Sequence, residues 1–217
     1  MPDWIQNRQR ERDLYYKEMI ADAACSPLWQ GYVDYCRQGE RGLRSDALAK
    51  LESFIVEMEQ ASFEERQRFV SWLMLRVSTK GRAYPLCPYP LNSRIVKPTL
   101  HEWTVVEPYC SEPHRWLGGY EHLKIASNLD PTDLTTRRML IGAILNRISM
   151  NTHEIPSGYG YMGVPNEGFA DLDEAETLAN ALPTSEERNK AAKRIDAERF
   201  LIRQYVSRLQ EKPIEPE

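Results

Sequence analysis

Thr132-Asp133-Leu134-Thr135-Thr136-Arg137-Arg138-Met139-Leu140-Ile141-Gly142-Ala143-Ile144-Leu145-Asn146-Arg147-Ile148-Ser149-Met150 is the stretch on which the fold turns. Leu134, Met139, Leu140, Ile141, Ile144, Leu145 and Ile148 repeat at helical spacing and cover nearly the whole circumference of the helix they predict over 132–150. A helix that is apolar nearly all round belongs at the centre of a bundle, with other helices packed against it.

The surrounding sequence supplies those neighbours. On the N-terminal side, Trp116, Tyr120, Leu123, Ile125 and Ala126 predict one helix, which Asp130-Pro131 ends while capping the next. On the C-terminal side, a Gly- and Pro-rich loop over 151–168 leads into a helix over Phe169–Leu182. After Pro183, Thr184-Ser185-Glu186-Glu187 reads as a capping box that opens a last helix running to about Leu209. Residues 3–23 are rich in helix formers, Ser26-Pro27 opens a second helix, and Ser45 is placed to cap a third bearing Leu48, Leu51, Ile55 and Met58. Ser62-Phe63-Glu64-Glu65 is another capping box, and Phe69, Trp72, Leu73 and Val77 line the helix that follows. Short joins predict that sequence neighbours pack antiparallel. Pro85, Pro88, Pro90 and Pro98 are expected to keep 80–98 out of helix, as an ordered loop lying across the helices. The fold class is therefore all-α, helical hairpins in a bundle or repeat-like arrangement with a long Pro-rich mid-chain loop. The organisation expected is an N-terminal helical subdomain at 1–79, a loop or linker at 80–110 and a helical subdomain at 111–217, or one compact unit. At most a short strand pair is expected near 94–106.

A chain of 217 residues with 41% hydrophobic and 28% charged residues can bury a core, which argues against disorder. Apolar runs are too short for a membrane helix. Met1-Pro2-Asp3-Trp4 lacks the basic and apolar regions of a secretory signal, so the expected location is the cytoplasm, where Cys25, Cys36, Cys87 and Cys110 would be free thiols. A Cys87–Cys110 disulfide is the alternative. The net charge of −4 is unevenly spread: residues 1–65 carry −5, 66–101 carry +7 with no acidic residue, and 102–217 carry −6. An acidic whole disfavours nucleic acid as a partner. The basic window holds Arg66, Arg68, Arg76, Lys80, Arg82, Arg94 and Lys97, and either faces an acidic partner or pairs with the acidic helices before it.

Three stretches carry a resemblance. Trp116-Leu117-Gly118 looks like the start of a repeat's first helix. Ala126-Ser127-Asn128-Leu129-Asp130-Pro131 looks like the close of its second, and Asp173-Glu174-Ala175 with Leu178 and Ala181-Leu182-Pro183 looks like another second helix. Over roughly 114–183 the chain thus resembles tetratricopeptide-like helical hairpins, although Trp116 to Pro131 is too short for a 34-residue repeat. The run from the Ser62 helix through Pro113-His114-Arg115-Trp116-Leu117 to His153-Glu154-Ile155-Pro156 and Gly158-Tyr159 is similar to a group of uncharacterised bacterial proteins. The repeat resemblance implies protein binding on a concave helical face.

Candidate chemistry is sparse. Gly158-Tyr159-Gly160-Tyr161-Met162-Gly163 spells G-x-G-x-x-G, but a dinucleotide site needs a strand before it and a helix start at its end, and here Pro156 precedes it and Val164-Pro165 follows. No cofactor is expected. His153-Glu154 begins like H-E-x-x-H, yet Ser157 stands where the second His belongs and Pro156 breaks the helix, so no metal is expected. His153 is better placed to satisfy carbonyls at a helix C-terminus; a general acid–base role for His153 and Glu154 is the catalytic alternative. His101, His114 and His122 are dispersed and read as structural or exposed.

The expectation is a non-enzymatic protein–protein interaction module, with a toxin-neutralising immunity protein as its sharper form. Its partner would be another protein, met through Tyr159, Tyr161 and Met162 of the glycine loop and through Tyr84, Tyr89, Arg82 and Arg94 of the Pro-rich loop. The loop aromatics have a second reading, in which they fold back over the end of the buried helix. The competing function is an enzyme or small-ligand-binding protein centred on His153, Glu154 and the glycine loop.

Overall fold

In the computed structural model, which describes residues 17–80, 86–158 and 160–211, every regular element among the described residues is helical. Tyr84, Arg82 and Tyr159 lie outside the described residues. The chain divides into two units, Met1–Pro108 and Tyr109–Glu217.

In the first unit, residues 17–23 are helical and a 3-10 turn, Pro27–Trp29, leads into α1 (Gln30–Glu40), α2 (Arg44–Glu59) and α3 (Phe63–Lys80). The core is aromatic. Phe69 is fully buried, its ring 5.0 Å from Phe54, 5.3 Å from Tyr32 and 5.6 Å from Trp29, in edge-on contacts. Rings at such distances and angles add to plain area burial. Gly31 lets α1 approach α2, since a Cβ there would stand 3.0 Å from the Phe54 Cβ. The Ser62 capping box forms as read: Glu65 N–H donates to Ser62 Oγ and Ser62 N–H donates to Glu65 Oε2. Ser45 is not a cap. Helix α2 starts one residue earlier, at Arg44, and the Ser45 hydroxyl points to Asp46.

The Pro-rich segment differs from expectation. From Tyr89 to Val106 the backbone is helical without a break: one α turn at Tyr89–Leu91, a π turn at Asn92–Val96, then α4 (Lys97–Val106). Proline obstructs a helix only where its missing N–H and its ring conflict with the preceding turn. Pro90 sits in the first turn, where the N–H has no intrahelical partner. Pro98 follows the π turn, in which Lys97 N–H reaches the Asn92 carbonyl five residues back. The segment packs inward through Leu91, Ile95, Val96, Leu100 and Trp103, and the Tyr32 hydroxyl donates to the Leu86 carbonyl at 2.8 Å to fix its approach.

The second unit holds α5 (Ser111–Leu117), α6 (Gly119–Leu129), α7 (Leu134–Thr152), α8 (Pro165–Asn180) and α9 (Ser185–Glu211). The single helix expected through Trp116 and Tyr120 is two, because Gly118 (φ 67°, ψ −162°) takes a conformation that suits glycine and turns the chain. Trp116-Leu117 thus closes a helix instead of opening one, so the repeat register read there is not adopted. The core assembles on α7, as its sequence requires: Leu140, Ile141, Ile144, Leu145 and Ile148 are buried with Leu123 of α6, Leu172 and Ala175 of α8, and Ile195 and Ile202 of α9. At the Thr184 box, Glu187 N–H donates to Thr184 Oγ1, whereas the hydroxyl itself donates to the Glu187 carboxylate.

The cap of α7 is Asp133, not Asp130. Asp133 accepts from Thr135 N–H, from the Thr136 hydroxyl and from Arg115 Nη1 at 2.6 Å. Burial opposes ionisation of this carboxyl, but the Thr136 hydrogen bond and the Arg115 guanidinium outweigh it and hold its pKa below 3.8. A carboxylate depressed on folding stabilises the folded state above its unfolded pKa, and that stability is lost as pH falls through the folded value. Asp133→Asn should therefore lower the melting temperature at pH 7 and flatten the decline of stability below about pH 4. Melting curves from pH 2 to 7 check this; parallel acid limbs for variant and parent would contradict it.

Candidate functional site

Helix α7 is not covered on every side. Arg138, Gly142, Asn146 and Met150, spaced by four, form its one open row: Arg138, Asn146 and Met150 are exposed and Gly142 is half-buried. Spacing by four places the row along one edge of the helix. At its C-terminal end Met150 is 72% exposed. There the loop 153–164 is stapled to the helix, Met162 N–H donating to the Asn151 carbonyl at 3.0 Å. Met162 is 68% exposed and Val164 is exposed beside it in sequence, so two flexible thioethers flank one backbone hydrogen bond.

Elsewhere the loop is divided: Ile155 and Tyr161 are buried, while His153, Pro156, Ser157, Gly158 and Gly163 are exposed. Tyr161 belongs to the core cluster, next to Tyr205, and its ring lies over Gly168, where a Cβ would collide with the phenol. Burial first, moderated by a hydrogen bond with Asn151, raises the pKa of its hydroxyl. Of the loop residues expected to meet a partner, Tyr161 therefore packs and Met162 points out. The loop is also shorter than read, since α7 continues to Thr152 and Pro165 begins α8.

Three hollows surround this region. An open one of about 650 Å³ is lined by Glu154, Gly160, Tyr161 and Met162. A second, about 320 Å³, lies between α7 and α8, with Arg147, Asn151, Glu167 and Asp171 on its walls; Arg147 is engaged there, paired with Asp171 at 2.6 Å and stacked 3.8 Å from the Tyr120 ring. The third, about 250 Å³, is a groove between α7 and α9. Ile141, Gly142, Leu145, Leu182 and Ala191 line it, and Arg138, Glu187, Lys190 and Arg194 stand on its rims.

His153 closes α7. Its Nδ1 lies 2.6 Å from the Met150 carbonyl, to which it donates, and its Nε2 lies 3.0 Å from Glu154 Oε1. The ring is exposed and fixed by the helix end it completes. His114 and His122 meet through their Nδ1 atoms at 3.0 Å, across the Gly118 turn. Burial, and then the neighbouring His122, lowers the pKa of His114. Among the described residues no three His, Cys, Asp or Glu side chains gather as a metal site. None of the four cysteines, all among the described residues, is in a disulfide, so the Cys87–Cys110 bond is not formed; burial pushes the Cys36 thiol up to about 12 and the Cys87 thiol to about 11.

In the first unit, Tyr89 is 81% exposed. Arg94, expected to face a partner, is instead held by Glu59 and Glu52, its Nε 2.8 Å from Glu59 and its Nη1 2.6 Å from Glu52. Arg76 pairs with Asp22 and Arg66 with Glu102. Much of the basic window is thus balanced within its own unit, which leaves less of it to attract an acidic ligand.

The residues of this surface that are not among the sequence candidates are Arg138, Gly142, Asn146, Met150, Lys190 and Arg194. Gly142 was the available signal, a glycine in the middle of the most apolar helix. No described helix is long and apolar enough to cross a membrane. No protein-family model, no curated protein and no solved structure matches the chain.

Proposed function

We propose that the protein works as a protein–protein interaction module, and that the contact surface of its second unit runs along the open row of α7 onto the stapled loop. The observation that carries this reading is the pair Met150 and Met162, exposed at 72% and 68% on a backbone held by a hydrogen bond. Methionine is enriched in interfaces, where its unbranched, polarizable side chain adapts to a partner. A rigid scaffold also lowers the ordering cost of binding. Helices α6–α7 and α8–α9 pack as consecutive pairs, the unit from which tetratricopeptide-type binding scaffolds are built. A toxin-neutralising role is one such use, and a secreted toxin encoded beside this chain would support it.

The test is the double variant Met150→Ser, Met162→Ser. Exposed substitutions of this kind change stability by no more than about 0.5 kcal/mol, so melting should be nearly unchanged. Co-purification of a binding partner from the native host should fall at least about tenfold, the loss of about 1.4 kcal/mol. Undiminished co-purification would reject this surface. The catalytic reading centred on His153 and Glu154 has its own outcome: a turnover activity abolished by His153→Ala.

A further inference from the structure

The groove between α7 and α9 combines features that ordinary packing does not require together. Gly142 stands in the interior of a 19-residue helix, and a Cβ built there meets nothing within 4 Å. Glycine destabilises a helix interior relative to alanine, and here no neighbour approaches closely enough to require it. What its missing side chain does is leave the middle of the groove open. The floor beside it is apolar, made by Ile141, Leu145, Leu182 and Ala191.

The rims carry three cations, Arg138, Lys190 and Arg194, against one carboxylate, Glu187. Arg138 is paired with Glu187 at 2.8 Å. Lys190 and Arg194, one turn apart on α9, pair with no carboxylate among the described residues; Arg194 bonds only the Asn146 side-chain oxygen, at 3.3 Å. Two cations outside any ion pair among the described residues, in line along an apolar floor whose one carboxylate is taken by Arg138, sit within a chain whose net charge is −4. A negative potential over the whole molecule would favour basic ligands, so a local positive track selects an acidic one that can also cover apolar surface. A helix laid in a groove presents such a pattern, with apolar anchors at i, i+3 and i+4 and carboxylates along its flank.

We infer that this groove docks an acidic amphipathic helical segment of a partner protein, its apolar side chains over Gly142 and its carboxylates on Lys190 and Arg194. The inference rests on the interaction reading above and names the chemistry of the partner. The groove and Met150 share the open row of α7, so one helix can reach from the groove toward the methionines.

The probe is a fluorescein-labelled helical peptide of 18 residues with Leu at i, i+3, i+4 and i+7 and Glu on the flanks, followed by fluorescence anisotropy with the full chain. A twin peptide carries Lys in place of Glu, and vesicles containing anionic lipid are a third probe. The acidic peptide should bind, weaken as salt rises, and outbind its basic twin at least about tenfold, a difference of about 1.4 kcal/mol. Gly142→Leu should fill the groove and abolish binding while melting at or above the parent temperature, because leucine is the better helix former. Lys190→Glu with Arg194→Glu should reverse the preference between the twin peptides. Absence of acidic-peptide binding, binding untouched by Gly142→Leu, or vesicle binding lost in the same variants would overturn the inference. Partner capture that depends on Met150 and Met162 but survives Gly142→Leu would overturn the groove alone and leave the interaction reading standing.

Discussion

Ile144→Asp should leave the second unit unable to hold its native helical packing at room temperature. Ile144 is fully buried at the middle of α7, within the cluster formed by Leu140, Leu145, Ile148, Leu172, Ile195 and Ile202. The substitution removes a transfer contribution of about 2–3 kcal/mol and leaves a carboxylate that must either stay charged in an apolar site or take up a proton. Either way it costs several kcal/mol more, which together consumes most of the roughly 5–15 kcal/mol by which domains are stable. Ile144→Val is the control and should cost about 0.5–1.5 kcal/mol. Thermal melting followed by circular dichroism reads both, and an Asp variant that melted like the parent would show that α7 is not the centre of the core.

The second large effect is expected at Trp116. It is buried at the end of α5, its indole N–H donates to Glu112 at 3.1 Å, and the Arg115 guanidinium stacks 4.5 Å from its ring. Arg115 in turn holds Asp133, the cap of α7, at 2.6 Å. Trp116→Ala should therefore act twice, by opening a cavity and by loosening the arginine that fixes the start of the central helix. Truncation of a buried aromatic costs about 3–5 kcal/mol. Trp116→Phe keeps most of the packing and should recover more than half of that loss. Equal melting temperatures for Trp116→Ala and the parent would mean that the ring packs on nothing essential.

The parts of the fold that the sequence made legible are those set by local chemistry. The Ser62 box, the apolar circumference of α7 and the packing of α8 and α9 against it follow from side-chain identity and spacing. The Pro-rich segment is helical from Tyr89 although the number of its prolines predicts a loop. The effect of a proline depends on position, and Pro90 in a first turn and Pro98 after a π turn are both compatible with helix. The break at Gly118 was missed because Trp116, Tyr120 and Leu123 keep helical spacing across it. The site was legible only in part. Met162 is exposed, while Tyr161 is drawn into the core by the space over Gly168. The aromatic and the methionine in one short loop differ only in which way the backbone turns them, and composition carries no record of that. Pairing of Arg94 with Glu52 and Glu59 joins residues 42 and 35 positions apart, which no local pattern encodes.

The open row of α7 and the stapled loop are proposed to form one contact surface. A photo-crosslinking amino acid placed singly at Asn146, at Met162 and, as a control, at the exposed Thr177 of α8 tests it most directly. In host extract, irradiation should join a discrete partner to the chain from positions 146 and 162 and not from 177. Cross-linking from 177 alone, or with equal yield from all three, would contradict the account.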